Sequence, residues 1–247
     1  IEQVDHAAKM GEKCKSPIVP AAAGLPLCLH LMKLYNYFRS SASFRVRIAL
    51  NLKGLSYEYV SVHLAKGEHF KSEFASLTAA GLVPLLELDD GTRLDQSMAI
   101  MEYLDEVHPQ PALLPADALA RSRVRALAQS IACEIHPLNN LRVLKYLVKE
   151  MGQSEEAKNA WYVHWCRSGL EAFERQLLAL PRSAQGAYCF GDTPTLADCC
   201  LVPQIFNAQR FNTPLDGLPR TMAVFDRCMQ LSAFEQAAPR NCPDFEA

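Results

Sequence analysis

The sequence predicts an α/β domain followed by an all-α domain. Three observations carry this reading. Between Lys33 and Val62 a strand pattern, a helical pattern and a second strand pattern follow one another within the length of one βαβ unit. A proline-rich joint, from His108-Pro109-Gln110-Pro111 to Leu114-Pro115, then interrupts the chain. Beyond it, apolar residues recur at helical spacing almost to the C-terminus.

Lys33–Phe38 reads as the first strand and Ala42–Leu52 as an amphipathic helix, closed by the C-cap signal Lys53-Gly54. Tyr57–Val62 is the second strand. A crossover of this size makes the two strands parallel and the connection right-handed. Gly67–Leu77 is polar and reads as an irregular helix. Val83-Pro84 leads into a strand at Leu85–Leu88, Asp89-Asp90-Gly91 makes a hairpin turn, and Thr92–Leu94 returns. Asp95-Gln96-Ser97 opens a helix running to about Val107, with Ser97 as its N-cap. This order, β-α-β-α-β-β-α, is that of a thioredoxin-like domain spanning residues 32–114. In residues 115–247, Val124, Leu127 and Ile131 form one apolar stripe, and Leu141, Leu144, Leu147 and Val148 a second. Trp161, Trp165, Phe173 and Leu177 form a third, which Gly169 is expected to break. Thr195 and Asp198 have the spacing of a capping box with Asp in place of Glu.

Composition bounds the function. With 247 residues, 49% hydrophobic and 21% charged, the chain has the make-up of a globular protein. A net charge of −2 argues against a nucleic-acid binder, and no apolar run is long enough to span a membrane. The nine cysteines form no CxxC pair and no metal-ligand spacing, which suits a reducing cytoplasm and no bound metal. Cys133, Cys199 and Cys200 fall on apolar helix faces and are expected to be buried thiols. Ile1 is not an initiator, whereas Met32-Lys33-Leu34-Tyr35 has the look of a start. Residues 1–31 are therefore expected to be an expression-derived or disordered extension, with a targeting segment as the other reading.

The chemistry centres on Ser40 and Ser41, at the turn between the first strand and the first helix. Free backbone N–H groups and the positive end of a helix dipole converge there, which makes an anion site. A thiolate is one such anion: hydroxyl donors and a helix N-terminus both lower a thiol below its ordinary value of about 8.5. Plain capping of the helix is the alternative use of either hydroxyl.

The run Ser40-Ser41-Ala42-Ser43-Phe44-Arg45-Val46-Arg47-Ile48-Ala49-Leu50 resembles the hallmark of zeta-class glutathione transferases, Ser-Ser-Cys-x-Trp-Arg-Val-Arg-Ile-Ala-Leu. The similarity continues through Val83-Pro84, Asp95-Gln96-Ser97, His136-Pro137-Leu138-Asn139-Asn140 and Gly191 to Asp198, and covers residues 32–247. Ala42 stands where the class has Cys, Phe44 where it has Trp, and Thr78-Ala79 where it has Asn-Pro.

The resemblance implies the cytosolic glutathione transferase fold and glutathione as cofactor. The implied glutathione-binding residues are Ser40, Ser41, Ala42, His69, Val83, Pro84 in the cis form, Gln96, Ser97, His136 and Asn140. Ser40 would face the sulfur, with Ser41 behind it. Arg39, Arg142 and Arg210 would hold substrate carboxylates, while Arg45 and Arg47 would serve structure or dimer contacts. The implied activity, shared by maleylacetoacetate and maleylpyruvate isomerases of this class, is cis-trans isomerisation of a maleyl keto acid by reversible thiolate addition. Conjugation or dehalogenation of small α-halo acids, and a non-catalytic ligand carrier, are the alternatives. A cytoplasmic homodimer acting on a small acidic substrate, with no nucleic acid, membrane or metal, completes the expectation.

Overall fold

The structure is a computed structural model and describes residues 32–246; the expected extension at residues 1–31 lies outside the described residues. Four short strands build one sheet: β1 (Lys33–Asn36), β2 (Glu58–Ser61), β3 (Leu85–Glu87) and β4 (Arg93–Asp95). β1 pairs in parallel with β2, Leu34 opposite Tyr59, and antiparallel with β3, Leu34 opposite Leu86. β3 pairs antiparallel with β4 across the predicted hairpin turn, so the order is β2-β1-β3-β4.

The first helix, α1 (Ser41–Leu52), starts where Ser40 leaves the strand in extended conformation and its Oγ accepts the Ser43 N–H at 3.2 Å. It stops at Lys53-Gly54, where Gly54 takes the left-handed conformation (φ 64°) that glycine adopts without steric cost. The polar segment after β2 folds as a 3-10 turn at Glu68–Phe70 and a short helix, α2 (Ser72–Ala75). Helix α3 (Ser97–Val107) closes this half of the chain.

Six helices follow the proline-rich joint among the described residues: α4 (Ala118–Gln129), α5 (Leu141–Lys149), α6 (Glu155–Leu178), α7 (Leu196–Arg210), α8 (Pro219–Met229) and α9 (Ser232–Ala237). The Asp198 carboxylate reaches back to the Thr195 N–H at 2.8 Å and also accepts from Cys189 N, fixing the start of α7. One hydrophobic core runs across the joint, from Leu34, Ile48 and Leu86 to Val124, Phe173 and Leu201. Phe44 of α1 meets Phe206 of α7 edge-on, ring centroids 6.2 Å apart.

Buried Arg47 ties this packing to the site. Its guanidinium donates to Asn36 Oδ1 (3.0 Å), Phe38 O (3.2 Å) and Ala237 O (3.0 Å), joining the end of β1 to α9. The structural role expected for Arg47 is thus observed.

Two expectations are corrected. Gly169 does not break α6, which is continuous from Glu155 to Leu178. The glycine is instead a notch: a Cβ there would lie 2.3 Å from Ile135 Cγ1. Cys133 is exposed rather than buried, unlike Cys199 and Cys200. It lies on a π-helical turn, Ser130–Ile135, whose wider winding rotates it off the apolar face that an α-helical period would give it.

Candidate active site

Two adjoining cavities, of about 190 and 310 Å³, lie between the sheet edge and the helices. They share Ala42, Leu82, Val83, His136 and Asn140. The first adds Arg39, Ser40, Ser41, Tyr162 and Arg210; the second adds Arg45, Pro84, Gln96, Ser97 and Arg142. Val83-Pro84 is cis, as the resemblance implied.

The π-turn delivers His136. Its N–H bonds back five residues to Ile131 O at 2.9 Å, and Pro137, which has no N–H, follows it out of the helix. His136 Nδ1 then sits 2.9 Å from Ser41 Oγ, and Nε2 lies 3.3 Å from Asn140 Nδ2. Asn140 is the N-cap of α5, where its Oδ1 accepts the Arg142 N–H at 3.1 Å. Only the carbonyl end of an amide can accept that N–H, so the NH2 end must face the imidazole. Nε2 is therefore the acceptor and Nδ1 carries the proton, which it donates to Ser41. The Ser41 hydroxyl hydrogen is left free to point into the first cavity. Burial, and the charges of Arg45 and Arg142, push His136 down to about 3, so the ring is neutral at physiological pH. Ser40 also keeps its hydroxyl hydrogen, because as N-cap it uses only a lone pair.

Arg45 is the buried charge of the second cavity, with 2% of its surface exposed. Nη1 donates to Ser97 Oγ at 3.2 Å, while Nε and Nη2 have no partner. Among the described residues it forms no ion pair. A guanidinium held out of water without a counter-ion is costly, so an anion arriving beside it is strongly favoured. Ser97 is not the N-cap of α3, as expected from sequence; it is the first helical residue, and Gln96 holds the cap position. Gln96 has φ 64° and ψ 110°, a conformation a side-chain-bearing residue adopts only where the surroundings impose it. The strain turns Gln96 and Ser97 together toward the cavity.

The first cavity carries Arg39 and Arg210 and no carboxylate, so it favours anions. Partial desolvation, with the Arg39 charge nearby, pulls Arg210 below the ordinary guanidinium value. Arg142 lines the other cavity, beside Ser97, so the three arginines expected to act together are divided between two sites. His69 lines neither cavity; its ring lies against that of Phe70, centroids 3.9 Å apart and planes tilted by 40°. Tyr162 and Gln204, from α6 and α7, line the first cavity without having been singled out. They fall on otherwise apolar helix faces, and a polar residue there signals a cleft only after the helices are packed. No group of metal-binding side chains occurs among the described residues, and no helix among them is long and apolar enough to cross a membrane.

Comparison with known proteins places this geometry. Residues 31–106 match the family model "Glutathione S-transferase, N-terminal domain", and residues 166–227 match "Glutathione S-transferase, C-terminal domain". The chain is 53% identical to maleylpyruvate isomerase of Ralstonia sp, over 86% of this chain and 99% of that protein. A solved maleylpyruvate isomerase, described as a bacterial glutathione S-transferase of the zeta class, is 52% identical and superposes with TM-score 0.84, over 87% of this chain and all of that one. Maleylacetoacetate isomerase of Anaeromyxobacter dehalogenans, solved with glutathione in the active site, is 41% identical with TM-score 0.77, over 87% of this chain and 98% of that one.

Proposed function

Since the chain belongs to the zeta class of the glutathione S-transferase family, we propose that it isomerises a maleyl keto acid, maleylpyruvate or maleylacetoacetate, to the trans isomer with glutathione as cofactor. The observation that carries the assignment is the pairing of a buried guanidinium, Arg45, whose Nε and Nη2 have no partner, with two serine hydroxyls whose protons are free.

The residues fit the tripeptide. Arg45, Ser97 and the strained Gln96 accept its γ-glutamyl carboxylate, and Asp95, on the same cavity, is available to its ammonium. Val83, before the cis proline, lies where a peptide backbone would run between the two cavities. Ser40, Ser41 and the N-terminus of α1 hold the sulfur as thiolate. Glutathione supplies, when bound, a thiolate that adds reversibly to the cis double bond, leaves a single bond free to rotate, and departs unchanged as the trans bond forms.

Arg39 and Arg210 hold the substrate's carboxylate and keto oxygen in the first cavity. Their charge stabilises the enolate that receives the double-bond electrons on addition and returns them on elimination. His136, being neutral, positions Ser41 and neither gives nor takes a proton in the cycle. The seven described cysteines are free thiols, in keeping with a reducing cytoplasm. Pairing of two copies belongs to the same reading, as the family resemblance implies.

The test is isomerisation of maleylpyruvate and maleylacetoacetate with and without glutathione, followed by absorbance. Turnover that needs glutathione but consumes none supports the proposal. Equal rates without it, or stoichiometric loss of glutathione into a thioether, would overturn it.

A further inference from the structure

The last described residues, Asp244 to Glu246, return to the loop that precedes Ser40. Past the end of β1, the Phe38 N–H has no strand partner and donates instead to Asp244 Oδ2 at 3.2 Å. The same carboxylate accepts from Ser61 Oγ at 3.0 Å and from the Tyr59 hydroxyl, so three donors from the ends of β1 and β2 converge on one side chain. Phe245 packs edge-on against Phe38, ring centroids 5.7 Å apart. Glu246 gives its backbone carbonyl to Arg39 Nη2 at 3.4 Å, and its carboxylate takes His63 Nε2 (3.2 Å) and Lys66 Nζ. The Arg39 guanidinium also lies 5.0 Å from the Phe38 ring centroid. The contacts made by Asp244, Phe245 and Glu246 all span more than 175 residues of sequence, and three of them fall on Phe38 and Arg39, the residues immediately before Ser40.

We infer that the segment Cys242–Glu246 is part of the active site, with Asp244 and Glu246 as positioning residues that fix the Phe38-Arg39 loop and aim the Arg39 guanidinium at the substrate carboxylate. The physical case rests on what the segment holds and how little it buries. Arg47 grips the loop from below through the Phe38 carbonyl; Asp244 grips the opposite face through the N–H of the same residue. Residues 37–39 are thereby pinned on both sides, and the Arg39 side chain is set between the Phe38 ring and the Glu246 carbonyl. Cys242 is buried beside Phe38, but Phe245 is 45% exposed, so the residues after Cys242 add little to the core. An arginine that must meet a carboxylate bidentately depends on where its planar fork is held, and small misplacements of a binding group are expensive in turnover.

The inference rests on the reading of Arg39 as a substrate contact, and the experiment separates the two. Asp244→Ala, and a chain ending at Cys242, are compared with Arg39→Ala and with the double variant Arg39→Ala/Asp244→Ala. The substrates are the maleyl keto acid and its uncharged analogue dimethyl maleate, and succinate binding is read by calorimetry with glutathione present. Asp244→Ala should raise KM for the keto acid, and Kd for succinate, about tenfold. The glutathione Kd and the diester rate should stay within about twofold, and the double variant should be no worse than Arg39→Ala alone. Unchanged succinate binding in Asp244→Ala, with Arg39→Ala impaired, would overturn the inference. So would equal losses on acid and diester together with a lowered Tm, which would mark a general packing role. If Arg39→Ala itself left keto-acid turnover intact, the substrate reading would fail first.

Discussion

Replacing Ser41 by alanine isolates the hydroxyl whose proton the structure leaves free. Ser41 Oγ accepts the His136 Nδ1–H at 2.9 Å, so its own hydrogen is directed into the cavity. A hydrogen bond to a charged acceptor contributes about 1.5–3 kcal/mol, and one pKa unit corresponds to about 1.4 kcal/mol. Loss of that bond should therefore raise the pKa of bound glutathione by about 1–2 units, toward the solution value of about 8.5. The assay is thiolate absorbance of the complex in the ultraviolet as a function of pH. A second perturbation reaches the same bond without touching Ser41. Asn140→Asp preserves the cap of α5, since Asp and Asn cap equally well. A carboxylate beside Nε2, however, demands a proton there. The tautomer reverses, Ser41 must donate to Nδ1, and the sulfur loses the Ser41 donor. Nitrogen NMR of His136 reads the tautomer directly. The added negative charge raises the thiol pKa by itself, so the informative quantity is the coupling: in the Ser41→Ala background, Asn140→Asp should add only the Coulombic part. An unchanged titration in Ser41→Ala, or strictly additive shifts in the pair, would refute the argument.

Two further outcomes follow from the packing. His136 is held well below its unfolded value of about 6.5, so the unfolded chain binds the extra proton first; stability is full above about pH 6.5 and falls as the pH drops toward about 3, by up to about 1.4 kcal/mol per unit. Urea midpoints between pH 7 and 4 should fall less steeply in His136→Gln than in the parent chain. Gly169→Ala places a methyl 2.3 Å from Ile135 Cγ1 and should cost about 1–3 kcal/mol in denaturant unfolding, with part of the loss recovered in Gly169→Ala/Ile135→Ala, which removes both Cγ1 and Cδ1, if overpacking is the cause.

What the sequence disclosed of this site is what local geometry controls. The serine turn is legible because a cap needs a hydroxyl at the start of a helical period, and Ser40 is that cap. The βαβ unit is legible from the change of period between Tyr35 and Val60, and the parallel pair of β1 and β2 follows. Where a residue's role depends on a distant partner, the sequence is silent. Arg45 and Arg47 are two residues apart on one helix and look alike; Arg47 donates to four carbonyl-type oxygens and Arg45 is left short of partners above a cavity. Nothing in a glutamine announces φ 64°, so the cap was placed one residue late, at Ser97. The π-turn is equally invisible, because its extra residue alters no side chain; it only moves Cys133 outward and His136 onto Ser41. Asp244 reaches Phe38 across 206 positions, a relation that only folding creates.

The charge state of His136 decides what kind of thiolate site this is. A protonated imidazole beside sulfur would form an ion pair and depress the thiol pKa far more than a hydroxyl can. Nucleophilicity falls with thiol pKa, whereas leaving ability rises. A reaction in which the same sulfur must both attack and depart gains nothing from an extreme in either direction. Here the cations nearest the imidazole, Arg45 and Arg142, act with burial to keep it neutral, and their charge is spent on the second cavity. On the proposed reading the sulfur would have neutral hydroxyls and a helix N-terminus as its donors, which would lower its pKa moderately and hold it in place. The substrate's charge would be met by Arg39 and Arg210, which line the same cavity as Ser40 and Ser41. Dividing the cations in this way would give the γ-glutamyl carboxylate Arg45 and Arg142 and the substrate's carboxylate Arg39 and Arg210, and leave hydroxyls as the hydrogen-bond donors to the sulfur. It also explains why an exchange of Ala42 for the Cys of the class is tolerable: no protein thiol is needed where the donors are hydroxyls.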